Sequence, residues 1–212
     1  EFPESNYVYE DGNVNKNIMI GPAIKFSAIL SNKTGNEKFI FPKGGWCNII
    51  TYKCYNENSD TEINLSRKPS ELHLHLRSGH IIPIQKDAVT NKVMTTKDLN
   101  DMNMGLMVHV DKEHNNATGD FYADDGESID SIKTHLTFNL KYDGEYSLNI
   151  TVAQKDTGYN QEAYTKLSYI EFVNANKIGY LKDCNKMKID GRKVINGSYD
   201  SDKHAVNFEF DN

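Results

Sequence analysis

The run from Leu72 to Pro83, LHLHLRSGHIIP, limits the fold more than any other stretch of the chain. Leu72, Leu74 and Leu76 alternate with His73, His75 and Arg77, a period of two that fits an extended strand and no helix. Ser78-Gly79 breaks the run, and His80, Ile81 and Ile82 resume it, so two short strands around a tight turn are predicted. The same alternation returns at Leu106, Val108 and Val110, at Leu136, Phe138 and Leu140, and at Tyr146, Leu148, Ile150 and Val152. Asp-Gly pairs at 125–126, 143–144 and 190–191 supply turn signals between runs, because glycine takes positive φ without strain. The segment from Ile18 to Leu30 is the most apolar, interrupted at Gly21-Pro22 by a bulge or bend, since proline donates no ladder hydrogen bond.

Short strands at this spacing predict an all-β protein of two antiparallel β-sandwiches in tandem. A length of 212 residues gives each enough chain for its own core. Residues 1–17 read as a polar connector, 18–90 as the first sandwich and 91–212 as the second, with Asp87–Asn103 a crossing loop. The net charge of −6 argues against a nucleic-acid partner, which needs a basic face. Nowhere does an apolar run reach the length that spans a membrane as a helix.

Three cysteines are present. Cys47 and Cys54 would face each other across a hairpin if a turn falls at Ile50-Thr51, giving either a disulfide or two free thiols. Cys184 has no partner left in the chain. Asn-x-Ser/Thr triplets begin at Asn32, Asn64, Asn116, Asn149 and Asn196, more than chance supplies, and favour N-glycosylation on a secretory route, lysosomal or secreted.

Candidate chemistry is sparse. Asp124, Asp125 and Glu127 cluster, but a hairpin tip rarely encloses a sugar, and calcium asks for more oxygens than this cluster offers. The plainer expectation is a turn built on Asp124, Asp125 and Gly126, with Arg77 as an ion-pair partner for Asp124 or Asp125. His73 and His75 share a strand face, yet no third ligand stands at zinc spacing, so a hydrogen-bonded polar face packed on a neighbouring domain is expected instead. Trp46 is read as core rather than as a sugar-stacking platform. No metal and no cofactor are expected.

Three phrases carry a resemblance. Phe41-Pro42 with Trp46-Cys47-Asn48, then Leu74-His75-Leu76-Arg77-Ser78-Gly79 with Ile82-Pro83-Ile84-Gln85, then Phe121 with Asp124-Asp125-Gly126-Glu127-Ser128, resemble in order the C-terminal β-domains of glycoside hydrolase family 31, the α-glucosidases and maltases. Glu1-Phe2-Pro3 and Ile18–Ala23 resemble that family's exit from its catalytic (β/α)8 barrel. Ser78 stands where the family has glycine, and Cys47-Asn48 where it has Tyr-Asp. The resemblance implies a retaining hydrolase of terminal α-linked glucose whose catalytic aspartates lie in the barrel, ahead of this chain, so that no catalytic residue is expected here. It also implies a partner, the barrel, which binds the oligosaccharide and docks on the Ile18–Leu30 strand. The alternative is a stand-alone carbohydrate-binding or structural β-sandwich protein.

Overall fold

The computed structural model describes residues 2–5, 10, 12, 14–68, 70–86, 93–100, 102–124, 133–142, 146–155, 167–175, 187–189 and 194–210. The protein is nearly all β, and its contacts divide it into two units, Glu1–Ser78 and Gly79–Asn212. The division falls ahead of residue 90, and the reason is visible in the hydrogen bonding. The strands on either side of Ser78-Gly79 do not pair with each other but join different sheets. Residues 1–17 are more than a connector: Phe2 packs 5.8 Å from Trp46 between ring centres, and Lys16 ion-pairs with Glu37 at 2.6 Å.

Unit 1 is a two-layer sandwich. Strands β1 (Asn17–Ile20), β2 (Ile24–Ser27), β4 (Gly44–Asn48), β5 (Cys54–Glu57) and β7 (Leu74–Arg77) form an antiparallel sheet in the order β1-β2-β7-β4-β5. The second layer is the antiparallel pair β3 (Asn36–Phe41) and β6 (Thr61–Ser66). Phe39, Phe41, Trp46, Ile63 and Leu65 make the core, with Tyr55 and Met19 at its margin. The Gly21-Pro22 interruption is a hairpin turn rather than a bulge: Gly21 takes φ +59, and Ile20 faces Ile24 across β1 and β2.

Among the described residues, unit 2 is a nine-stranded sheet that curls around one core. Its strands are β8 (His80–Ile84), β9 (Met104–His109), β10 (Ala117–Ala123), β11 (Thr134–Tyr142), β12 (Tyr146–Lys155), β13 (Leu167–Phe172), β14 (Met187–Ile189), β15 (Val194–Asp200) and β16 (Ala205–Phe210), in the order β14-β12-β11-β10-β8-β9-β13-β16-β15. Alternation puts Leu106, Val108, Leu136, Phe138, Leu140, Phe172 and Phe208 inside. The sheet is not purely antiparallel. β8 runs parallel to β10, β9 to β13 and β12 to β14. Gly119 permits the β8–β10 approach, since a Cβ there would lie 2.1 Å from the Ile81 carbonyl oxygen. The expected crossing loop holds a short helix, α1 (Thr96–Asn100), tied down by Gln85, whose side-chain amide donates to the Leu99 carbonyl at 2.8 Å.

Candidate functional site

Arg77 lays its guanidinium 4.5 Å from the centre of the Phe2 ring. Asp124 directly follows β10, whereas Asp125, Gly126 and Glu127 lie outside the described residues, as do Cys184 and the Asp-Gly pairs at 143–144 and 190–191. Ala123 pairs with Thr134 at the end of β10. At Ser78-Gly79 the positive φ (+76) falls on Gly79, and the Ser78 hydroxyl accepts from the Gly45 amide at 3.3 Å. Serine therefore meets no left-handed strain there.

Cys47 and Cys54 are opposite residues of β4 and β5 and are joined by a disulfide, with Cα atoms 4.1 Å apart. Asn48 shapes the turn beyond it. Its side-chain oxygen accepts from the amides of Ile50 at 2.9 Å and Thr51 at 2.8 Å, and Tyr52 takes φ +60 to close the loop. All five sequon asparagines, Asn32, Asn64, Asn116, Asn149 and Asn196, are exposed.

The expectation for His73, just ahead of β7, and His75, on it, is a hydrogen-bonded polar face packed on a neighbouring domain. His73 and His75 turn into the sandwich, while Leu76, on the opposite face of the strand, is also fully buried. His73 Nε2 lies 2.7 Å from the Ser66 carbonyl. His75 meets Phe41 edge-on at 4.8 Å and Tyr55 at 5.9 Å, and its Nδ1 is buried without a hydrogen-bond partner. Burial, then the charge of Lys25, brings its pKa down to about 3, so the ring is neutral. Lys25 was not anticipated. It is 2 % exposed, donates to Asn17 Oδ1 at 2.8 Å and Ser27 Oγ at 2.7 Å, and sits 4.2 Å from the centre of the Phe41 ring. Burial lowers its pKa to about 7.

Above His75 lies an open groove of about 640 Å³, wholly within unit 1. Tyr55, Asn64, Glu71, His73 and Lys53 line it with His75. Lys53 holds its ammonium 5.4 Å from the centre of the Tyr55 ring. Glu71 bonds Lys68 at 3.3 Å, which together with Ser66 and His73 lowers its pKa and keeps it ionised. Sequence reasoning missed this site because Tyr55, Glu71 and His75 come from separate segments with no shared spacing.

Residues 1–82 match the family described as Glycosyl hydrolase family 31 C-terminal domain. The chain is 28% identical over 169 residues to human "Probable maltase-glucoamylase 2", covering 80% of this chain and 6% of that protein. It is 25% identical over 162 residues to the rat "Lysosomal alpha-glucosidase", covering 66% of this chain and 16% of that one. The chain thus spans under a fifth of either relative. Among solved structures, a family 31 dextranase of Flavobacterium johnsoniae complexed with glucose shares the fold, with a TM-score of 0.58 and 15% identity over 93% of this chain and 25% of that one.

Proposed function

We propose, from the premise that this chain is the C-terminal, non-catalytic β part of a family 31 glycosyl hydrolase, that it supports the barrel of a retaining α-glucosidase acting on terminal α-linked glucose. The observation that carries this reading is coverage: the family match runs through residues 1–82, and the relatives extend far beyond the region this chain aligns with. A retaining glycosidase needs two carboxyl groups about 5 Å apart around the scissile bond. In unit 1 the buried carboxylate Glu37 is instead held between Lys16 and Arg67. The docking surface in this reading is the outer face of β1 and the segment after β2, where Ile18, Ile20 and Leu30 are exposed at 41%, 52% and 64%.

Passage through the secretory pathway, to a lysosome or outside the cell, belongs to the same proposal. The Cys47–Cys54 bridge suits an oxidising compartment, and the exposed sequon asparagines Asn32, Asn116, Asn149 and Asn196 suit glycan transfer. The test is purification from the native source with mass spectrometry for a co-purifying or covalently continuous barrel, alongside an assay of the 212-residue chain on a chromogenic α-glucoside. The expected result is a barrel in the native preparation and no turnover by the chain alone. Turnover that disappears in Asp124→Asn would overturn the assignment.

A further inference from the structure

We propose that the groove of unit 1 over His75 is a second sugar site, a binding site for a neutral saccharide separate from any catalytic centre. Its volume, about 640 Å³, falls within the roughly 300–1,000 Å³ of small-molecule sites. Four features set the ligand class. Tyr55 is half-buried, with Phe41 and His75 backing its ring, and offers the flat apolar surface on which a pyranose ring rests. Asn64 and Glu71 supply an amide that donates and accepts and a carboxylate that accepts, the pairing that adjacent hydroxyls require.

The third feature is charge. Lys53 and Glu71 carry opposite signs on the lining, so the groove offers neither the cluster of cations a phosphate wants nor the aromatic cage of an ammonium. The fourth is the floor. His75 lines it from below with a ring whose Nδ1 is sealed from solvent, so the floor is the flat face of an imidazole and not a hydrogen-bonding atom. A purely apolar ligand would leave Asn64 and Glu71 unanswered. The groove needs no partner chain, so this site and the proposed role beside a barrel stand or fall separately.

The experiment is a titration of the 212-residue chain, made in a host without N-glycosylation so that Asn64 stays bare. The probes are maltotriose, isomaltotriose and, as a simple polyol, glycerol at equal hydroxyl concentration. The readout is the imidazole nitrogen resonances of His75 and His73. The expected result is a saturable shift at His75 with at least one trisaccharide at millimolar concentration and none with glycerol. Tyr55→Ala should weaken binding about tenfold. Should that variant not fold, Asn64→Ala on the exposed edge and Glu71→Gln take its place, each expected to weaken binding severalfold. A His75 signal unmoved by both trisaccharides, an equal response to glycerol, or full affinity in the folded variants would overturn the proposal.

Discussion

Lys25 and His75 stand directly opposite each other on β2 and β7, both on the face that the sheet turns toward Phe41. Two basic groups in one apolar interior make unit 1 sensitive to pH. His75 titrates at about 3 when folded, against an ordinary value of 6.5, so between these values the unfolded chain binds the extra proton. Stability should therefore fall as pH drops from 6.5 toward 3. For Lys25 the window lies between about 7 and 10.5, and stability should rise with pH across it. Each limb is on the order of a few kcal/mol. Denaturant melts across pH check this: His75→Phe should flatten the acid limb and Lys25→Met the alkaline one. Unchanged limbs in both variants would show that neither group controls them.

Glu37 contributes to the acid limb as well. It bridges Lys16 at 2.6 Å and Arg67 at 3.1 Å from a buried position on β3, and these partners, Lys16 foremost, hold its carboxyl below the usual range. A carboxyl of this kind stabilises above its unfolded pKa and loses that contribution as pH falls through the folded one. Glu37→Gln should cost about 2 kcal/mol at neutral pH, and less in acid. Equal costs at pH 7 and pH 3 would contradict the ion-pair account.

The Cys47–Cys54 bridge closes a short loop within one hairpin, for which chain-entropy reasoning gives about 2.5 kcal/mol. Reductant, or the double change Cys47→Ser and Cys54→Ser, should lower the stability of unit 1 by that order. Asn48→Ala should cost about 1 kcal/mol more, since the Ile50 and Thr51 amides lose their acceptor. Melts with and without reductant decide both.

Two glycines of unit 2 should respond unequally to alanine. At Gly119 the added methyl meets the Ile81 backbone oxygen, which cannot move without parting β8 from β10. At Gly105 it meets the Tyr169 ring, a side chain that can swing away after releasing the Lys86 amide it accepts from at 2.8 Å. Gly119→Ala should cost about 3 kcal/mol or more, and Gly105→Ala less. Thermal melts that rank them the other way would undo the distinction.

Most strands could be read from the sequence because alternation of side-chain character is a local property. Leu74–Arg77, His80–Ile84 and Leu136–Leu140 all lie on strands. Which face is the interior could not be read, because period two distinguishes faces without ranking them. On β7 both faces are buried, so LHLHLR gives no polar outside to find. Lys25 hides for a related reason: a lysine in IKFS looks like a solvent-facing residue until Phe41 is placed beneath it. Parallel pairings such as β9 with β13 join distant segments that carry no shared local signal. The groove shares that fate, since Tyr55, Glu71 and His75 meet only once β5 and β7 lie in one sheet.

The separate sheet memberships of β7 and β8 have a consequence for how the chain is made. Every described strand pairing of unit 1 closes among residues that end at Arg77, so the first sandwich can form before any strand of unit 2 has left the ribosome. The second unit has no such luxury. β9 must wait for β13, and β13 for β16, so its apolar strands stay open until Phe210 has emerged. The nascent chain therefore presents chaperones with a finished first unit and an unfinished second one, and termination between the two should spare the first.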